Sequence, residues 1–503
     1  MSVKRNQPSG KKTADHTLKV NPQRATRCSY DEKKKGDPGE FIRDRDRILG
    51  SKAFRRLAGK AQVFMTGIDD HMRTRLTHTL EVSQIARTIA APLKLDLDLV
   101  EAIALGHDLG HTPYGHVGER TLHEIMTPQE HHVLGPGCPM NAPADPRAFA
   151  ELQGFKHNLQ SLVVAMKLER HYEGLGMDLT NYTLYGMKAH SGAKYKPGRI
   201  SNHDALGYYD SFIERGCRNA DGSDAWSLES LLVAEADEIA QYYHDVEDAL
   251  LGGLITPREI VKIMKDHFEA FGIFKGLTAD ERKLLRRPED HDLGEFVAFI
   301  SRRLVDMLVG RIIHTASHQL NHLASVYRLT NGNFAEFRAC HRPNEAPVSL
   351  IFSYQFPDGE QEVPDDFSKQ VKEFQNAITR RVLSSYDIQR ADAKGKYIIT
   401  KIFQAYYTTP QQLPDHCVYE LLATYNSMTA GDAEEKPRRE SEEVLLRQEA
   451  RLNGIGSIRQ RFTGLFARRD DPLVEMLLMR TICNHIASMT DAYAHKVYEE
   501  LYG

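Results

Sequence analysis

Cysteine is scarce in this 503-residue chain: Cys28, Cys138, Cys217, Cys340, Cys417 and Cys483 stand far apart, with no CxxC pair. Spacing therefore offers neither a zinc knuckle nor a redox pair, and the six are expected to be reduced and structural. No run of about 18 apolar residues occurs, and the first thirty residues lack the apolar stretch of a signal peptide, so a cytosolic protein without membrane spans is expected. Strand signals are nearly missing. Only 348–354 (VSLIFSY) reads as a buried strand or a short apolar helix, which periodicity cannot separate. No internal repeat of about 20 to 50 residues appears, which excludes a solenoid or propeller. A net charge of -4 excludes a global electrostatic preference for nucleic acid.

What the chain does have is helical periodicity and histidine. At 41% hydrophobic it can bury a large core. Apolar residues recur at helical spacing over 41–61, 78–93, 97–107, 155–169, 228–251, 257–274, 295–329, 367–383, 397–408 and 472–501, which predicts an all-α protein. Residues 110–118 (GHTPYGHVG) are too rich in Gly and Pro for a helix interior and predict a loop. Segments 127–150, 189–224 and 430–440 read as polar connections. Residues 1–36 hold ten Lys or Arg against three Asp or Glu, a basic leader that is expected to be disordered and that alternatively contacts nucleic acid or a neighbouring subunit.

Many of the 23 histidines fall between positions 71 and 157. A catalytic divalent ion needs three or four N/O ligands on rigid elements, with a position left for water or substrate. His107 and Asp108 follow an apolar helix and precede the Gly110 loop. Neighbours on a helix project about 100° apart, so they share an ion only near a helix end, which that loop supplies. A His-Asp dipeptide alone means little, since His203-Asp204, His244-Asp245 and His291-Asp292 also occur. Context separates the first pair from the rest: AIALGHDLGHTPYGHVGE sets His107, Asp108, His111, His116 and Glu119 within thirteen residues. Further ligands must come from other helices. His78 in RTRLTHTLEV and Asp237 in the acid-rich LLVAEADEIAQYYHDVEDA are the candidates.

His, His-Asp and Asp in this order on three helices resemble the ligand set of the HD phosphohydrolases. Within that superfamily the chain resembles the deoxyguanosinetriphosphate triphosphohydrolases (dGTPases). FIRDRDRILGSKAFRRLAGKAQVF, RTRLTHTLEV, FKHNLQSL, EADEIAQYYHD and ICNHIASMTDAYAHKVYEELY occur in order and match the family's signatures across 38–250 and about 365–503. The resemblance implies an HD-type helical core over 38–255, a helical C-terminal region over 256–503 that completes the pocket and makes oligomer contacts, and a leader over 1–37. It implies metal-dependent hydrolysis, with Mg²⁺ or Mn²⁺ expected, of dGTP or other dNTPs to the deoxynucleoside and inorganic triphosphate by water attack at the α-phosphorus.

In that reading His116 is the candidate acid for the departing 5′ oxygen, and Glu119, three residues on, meets and charges its imidazole if the chain there is helical. His111 and His157 are expected at the phosphates, Arg75 brings a fixed positive charge, and Lys188 is a further phosphate contact. Gln62 offers a two-sided amide for the sugar 3′-hydroxyl, and Asp245 lies two turns beyond Asp237 as a sugar contact. Two departures stand out. Gln241 occupies a position where the family has tyrosine, and Asn484-His485 replaces an acid and an aromatic residue. The resemblance also implies a homo-oligomer, a hexamer or tetramer, and a separate site for an activating dNTP or single-stranded DNA; the charged segment 438–461 could serve such contacts. Two other functions compete: an HD hydrolase of a cyclic dinucleotide, alarmone or nucleoside monophosphate, hinted at only by Glu130-His131-His132 with no GYP segment, and an idle scaffold binding nucleotide or nucleic acid, which intact ligands disfavour.

Overall fold

The computed structural model describes residues 20, 25–27, 39–62, 73–127, 154–169, 176–189, 207–326, 366–429, 442–466 and 471–503. Among them there are nineteen α-helices and no strand; the only ladder contacts are two isolated bridges, Ala61 with Thr74 and Arg218 with Asp224. The protein is all-α, as its periodicity predicts. The 348–354 segment, Glu130-His131-His132, His203-Asp204 and most of the leader lie outside the described residues.

The chain opens with α1 (Glu40–Gly50) and α2 (Lys52–Arg56), where the sequence suggested one helix over 41–61. The break is at Ser51, whose extended backbone lets its hydroxyl accept the Phe54 N–H and cap a new helix. Then come α3 (Arg75–Ala90), α4 (Leu97–Gly106) and α5 (Gly115–Ile125). Thr74 and Thr77 form a capping box at the start of α3, and the Asp96 carboxylate caps α4 by accepting the Asp98 and Leu99 N–H groups. Helix α5 begins inside the stretch expected to be a loop. Gly118 is in its interior because a Cβ there would sit 2.1 Å from the Pro113 carbonyl oxygen, so the glycine serves close packing rather than a turn.

Next are α6 (His157–Val163), continued by a π turn over Val164–Leu168, then α7 (Asn181–Ala189) and α8 (Gly207–Gly216), the last within a segment expected to be a connection. The 24-residue α9 (Leu228–Leu251) is capped by Ser227 and has the bounds its periodicity gives. It packs on α3, α4 and α7, and on two later helices. The second half comprises α10 (Pro257–Phe268), α11 (Ala279–Arg286), α12 (Leu293–Val326), α13 (Asp366–Leu383), α14 (Tyr386–Thr408), α15 (Asp415–Thr429), α16 (Glu442–Asn453), α17 (Ile455–Phe466), α18 (Pro472–Ala487) and α19 (Asp491–Tyr502). The expected single helix over 472–501 divides because Thr490 leaves helical geometry and caps α19 through the Tyr493 N–H. Helix α9 meets α12 and α13 from this half.

Two apolar cores result. One gathers α1 to α4 and α6 to α13; the other gathers α5 with α14 to α19. The site lies where they meet. Part of the basic leader is fastened to the first core: Val20 is fully buried and its N–H donates to Glu229 Oε1, while Arg27 pairs with Glu40 and Asp44. No helix among the described residues is long and apolar enough to cross a membrane.

Candidate metal centre and active site

The His-Asp pair sits where α4 ends. His107 is the C-cap residue of α4, and the chain turns at once, with the His111 N–H donating to the Asp108 carbonyl. The turn is clamped to α6. Ser161 Oγ accepts the Gly110 N–H at 2.9 Å and donates to the His107 carbonyl at 2.8 Å. A Cβ on Gly110 would stand 2.2 Å from the Ser161 nitrogen and 2.4 Å from the His157 carbonyl oxygen, so only glycine permits this approach.

Around the turn, side chains from three helices converge. His107 Nδ1 donates to the Ala104 carbonyl at 2.6 Å, which leaves Nε2 as the nitrogen that faces the other ligands. His78, in the first turn of α3, places Nε2 2.9 Å from Asp237 Oδ1 of α9, and His107 Nε2 is 3.7 Å from the same oxygen. Asp108 Oδ1 is 3.6 Å from His107 Nε2. The ligand atoms of His78, His107 and Asp237 all lie within 4.8 Å of one another. All four groups are buried. Buried imidazoles and carboxylates gathered this closely are costly unless paired or bound to a cation; His78, His107 and Asp237 converge directly, while Asp108 stands beside His107 and also groups with His111 and His157, and together they offer the mixed N and O set that first-row divalent ions accept. The residues therefore fit the metal that the fold implies.

Each candidate ligand is held from behind. Asp108 Oδ2 accepts from Arg75 Nη1 at 2.7 Å; burial opposes ionisation of Asp108, but Arg75, His107 and the neighbouring histidines hold its carboxyl well below the usual carboxylate range. Gln241, one of the departures, donates its amide to Asp237 Oδ2 at 3.3 Å and so orients a ligand. Behind His78 runs a chain that the sequence left unread. His78 Nδ1 is 3.3 Å from His244 Nδ1, His244 Nε2 is 2.7 Å from Glu81 Oε2, and Arg73 closes on Glu81 at 3.1 Å. Burial holds His244 neutral, with its pKa down to about 3. Donation then runs one way, from His78 Nδ1–H to His244 Nδ1 and from His244 Nε2–H to Glu81, which leaves His78 Nε2 as an acceptor for the ion. As a dipeptide, His244-Asp245 carries no metal signal of its own. The signal was its spacing, since His244 is seven residues beyond Asp237 and so on the same face of α9.

A second cluster adjoins the first. Glu119, on α5, accepts from His157 Nδ1 at 2.7 Å and lies 3.7 Å from His116 Nδ1 and 3.3 Å from Lys156 Nζ. The helical i,i+3 geometry expected for His116 and Glu119 is present, but the shorter bond goes to His157 because α6 presents that ring directly to the carboxylate. Burial alone would raise Glu119; the His157 charge and its hydrogen bond, with His116 and Lys156 close by, outweigh it and hold the carboxyl well below its usual range. Burial would lower His157, and Glu119 reverses this and raises it. His111, packed against His157 with ring centroids 4.4 Å apart, is pushed well down by burial and by the Arg75 and His157 charges, so it is neutral. His157 Nε2 lies 3.9 Å from Asp108 Oδ1 and joins the two clusters. His116 alone among these rings is open to solvent, with its side chain 57% exposed.

The remaining expected contacts divide. Arg75 is buried, and its Nε and Nη2 have no hydrogen-bond partner. The Gln62 Oε1 is likewise buried and unpartnered, and the Gly115 backbone lies beside both residues. Lys188 is buried with Nζ 4.4 Å from the Tyr185 ring centroid. Asp245 bonds Thr379 of α13 at 3.2 Å, and burial raises its carboxyl to about 6; this contact leads away from His78 and Asp237. Lys60, unread in the sequence, donates to the carbonyls of His111 and Ala487 and ties the site to the end of α18. Asn484, the other departure, is bridged between Gln160 and Glu420.

Helices that gather His78, His107 and Asp237, with Asp108 beside His107, have the arrangement of an HD phosphohydrolase, and residues 75–136 match the HD domain model while 361–430 match the phosphohydrolase-associated domain. The chain is 34% identical over 380 residues to a deoxyguanosinetriphosphate triphosphohydrolase-like protein of Rhizobium leguminosarum, covering 75% of this chain and 79% of that one. It is 35% identical over the same length, with the same coverage, to one from Rhizobium etli, and 34% over 378 residues to one from Ralstonia pickettii, covering 75% of this chain and 79% of the relative. The chain belongs to the dGTPase family of the HD superfamily. It is a hydrolase of that superfamily, whose fold implies a divalent metal.

Proposed function

We propose that this protein hydrolyses deoxynucleoside triphosphates, dGTP foremost, to the deoxynucleoside and inorganic triphosphate. One observation carries the reading: acid, carboxylate and metal ligands form a continuous line, from His116 through Glu119 and His157 to Asp108, beside a buried arginine with unused donors. A bound divalent cation at His78, His107, Asp108 and Asp237 supplies Lewis acidity for water attack at phosphorus. The protein's own groups supply the rest. Arg75 is fixed by Asp108 through Nη1 and offers Nε–H and Nη2–H to phosphate oxygens, a fork that needs no reorganisation when charge develops. His157, whose pKa Glu119 raises above the ordinary imidazole value, adds positive charge next to them in its protonated form. His116, reachable by a ligand from solvent and held at Glu119, protonates the departing 5′ oxygen. Gln62 presents an unpartnered amide oxygen that suits a sugar hydroxyl. The names of the relatives support the nucleotide class and guanine.

The test is product analysis. Metal-stripped protein given Mn²⁺ or Mg²⁺ and each dNTP in turn should release inorganic triphosphate and deoxynucleoside, fastest from dGTP, and Asp108→Ala should abolish release. Release of orthophosphate or pyrophosphate instead, or none from any dNTP, would refute the proposal.

A further inference from the structure

A second group of ligating side chains lies in the C-terminal core. His416 and Cys417 open α15, and His485 is in the last turn of α18, which packs against it. The ligand atoms of the three lie within 4.8 Å of one another. His416 and His485 have ring centroids 5.1 Å apart, and Tyr406 flanks His485 at 5.6 Å. Cys417 is buried and unpaired with any other cysteine.

His485 is the decisive residue. It is 6% exposed, and neither ring nitrogen has a hydrogen-bond partner. A neutral imidazole always carries one N–H donor and one lone-pair acceptor, so hiding both unpaired forfeits two hydrogen bonds to water with nothing in return. Hydrophobic packing alone would be better served by leucine or phenylalanine. A metal ion accepts the lone pair and removes half of that deficit. Adjacent positions 416 and 417 project about 100° apart, which lets both reach one ion near a helix start when a third ligand faces them from another helix. Glu420, one turn on along α15, is engaged by Asn484 at 2.8 Å and Lys167 at 3.6 Å and stands behind as an outer carboxylate.

We infer that His416, Cys417 and His485 form a second metal site, distinct from the HD centre, that takes Zn²⁺ through one thiolate and two imidazoles. A thiolate with imidazoles selects zinc over magnesium or manganese, which prefer oxygen donors. Three protein ligands leave the fourth tetrahedral position to water. On binding, the Cys417 thiol gives up its proton to solvent as the S–Zn bond forms. The ion would pin α15 to α18, and Lys60 binds the Ala487 carbonyl at the end of α18 together with the His111 carbonyl, so the site is linked to the turn that follows His107-Asp108.

The test uses the full chain in an Asp108→Ala background, which disables the HD centre, with zinc content by mass spectrometry and optical spectra after Co²⁺ loading. The HD ligands contain no sulfur, so a thiolate-to-cobalt charge-transfer band reports Cys417. The expected result is retained zinc and a charge-transfer band that Cys417→Ser removes and Cys483→Ser leaves. His416 is solvent-exposed. His416→Ala therefore tests the site without disturbing the core and should weaken zinc binding by about tenfold or more. Absence of the band in the Asp108→Ala protein overturns the inference. So does zinc content that neither His416→Ala nor Cys417→Ser lowers.

Discussion

Replacing Glu119 with glutamine keeps the shape of the side chain and removes its charge. Its carboxylate lies 2.7 Å from His157 Nδ1, and both groups are withdrawn from bulk water. Hydrogen bonds to charged groups contribute about 1.5–3 kcal/mol. Converted at about 1.4 kcal/mol per unit, that is about one to two units of pKa on His157. In the native protein Glu119 outweighs burial and raises His157 above 6.5; in the variant, burial and Arg75 prevail and it falls below. The sign follows directly. His157 acts in its charged form, so activity is present at low pH and lost as pH rises through its pKa, and in Glu119→Gln that alkaline limb moves to lower pH. If the pairing acts mainly in the transition state, the same energy corresponds to a fall in kcat of about 10- to 150-fold at neutral pH. The assay is steady-state triphosphate release from about pH 5.5 to about pH 8.5, with kcat and KM resolved at each point. An unmoved alkaline limb with unchanged kcat, or a rise in KM alone, would refute the reasoning.

Three further outcomes follow from named contacts. His244→Ala removes the acceptor of His78 Nδ1–H and should weaken metal binding about 10- to 100-fold, read by Mn²⁺ titration, with little effect on thermal unfolding of the metal-free protein. Gly110→Ala must displace either the His-Asp turn or α6, and should cost several kcal/mol in urea unfolding and abolish metal binding, about the scale of other overpacking and strain effects. Glu229 is fully buried, and burial raises its carboxyl from 4.5 to about 7. The folded state thus holds a proton that the unfolded chain has lost, and stability falls as pH rises from 4.5 to about 7. Glu229→Gln should flatten that slope, by at most about 3 kcal/mol in urea unfolding on the two sides of the window.

Most of the long helices were legible because periodicity records which face is buried, and α9 emerged with its bounds intact; α8, α11 and α15 were not read as helices. The breaks were less legible. At Ser51 and Thr490 a single hydroxyl accepting a backbone N–H outweighs continued helical spacing, and neither interrupts the apolar pattern. Gly118 misled because glycine in a run of Gly and Pro reads as a turn, whereas here it makes room for a carbonyl. In the site, candidate ligands could be picked out because metal ligation needs fixed residue types, and the fold brings His78, His107 and Asp237 together. Its support could not. His244, Glu81 and Lys60 act through contacts between residues 51 to 427 positions apart. Such pairs carry no local spacing, apart from the two-turn interval from Asp237 to His244. The Glu119–His157 bond was hidden for the same reason: the i,i+3 neighbour His116 is visible in sequence, while the closer partner arrives from another helix.

On the proposed function, His78, His107, Asp108 and Asp237 from three segments hold one divalent ion. The most direct measurement is anomalous diffraction from crystals of the protein soaked in Mn²⁺. The account predicts one strong peak about 2.0–2.3 Å from His78 Nε2, His107 Nε2, Asp108 Oδ1 and Asp237 Oδ1. A peak elsewhere, among His111, His116 and Glu119 for example, or none at all at saturating Mn²⁺, would contradict it.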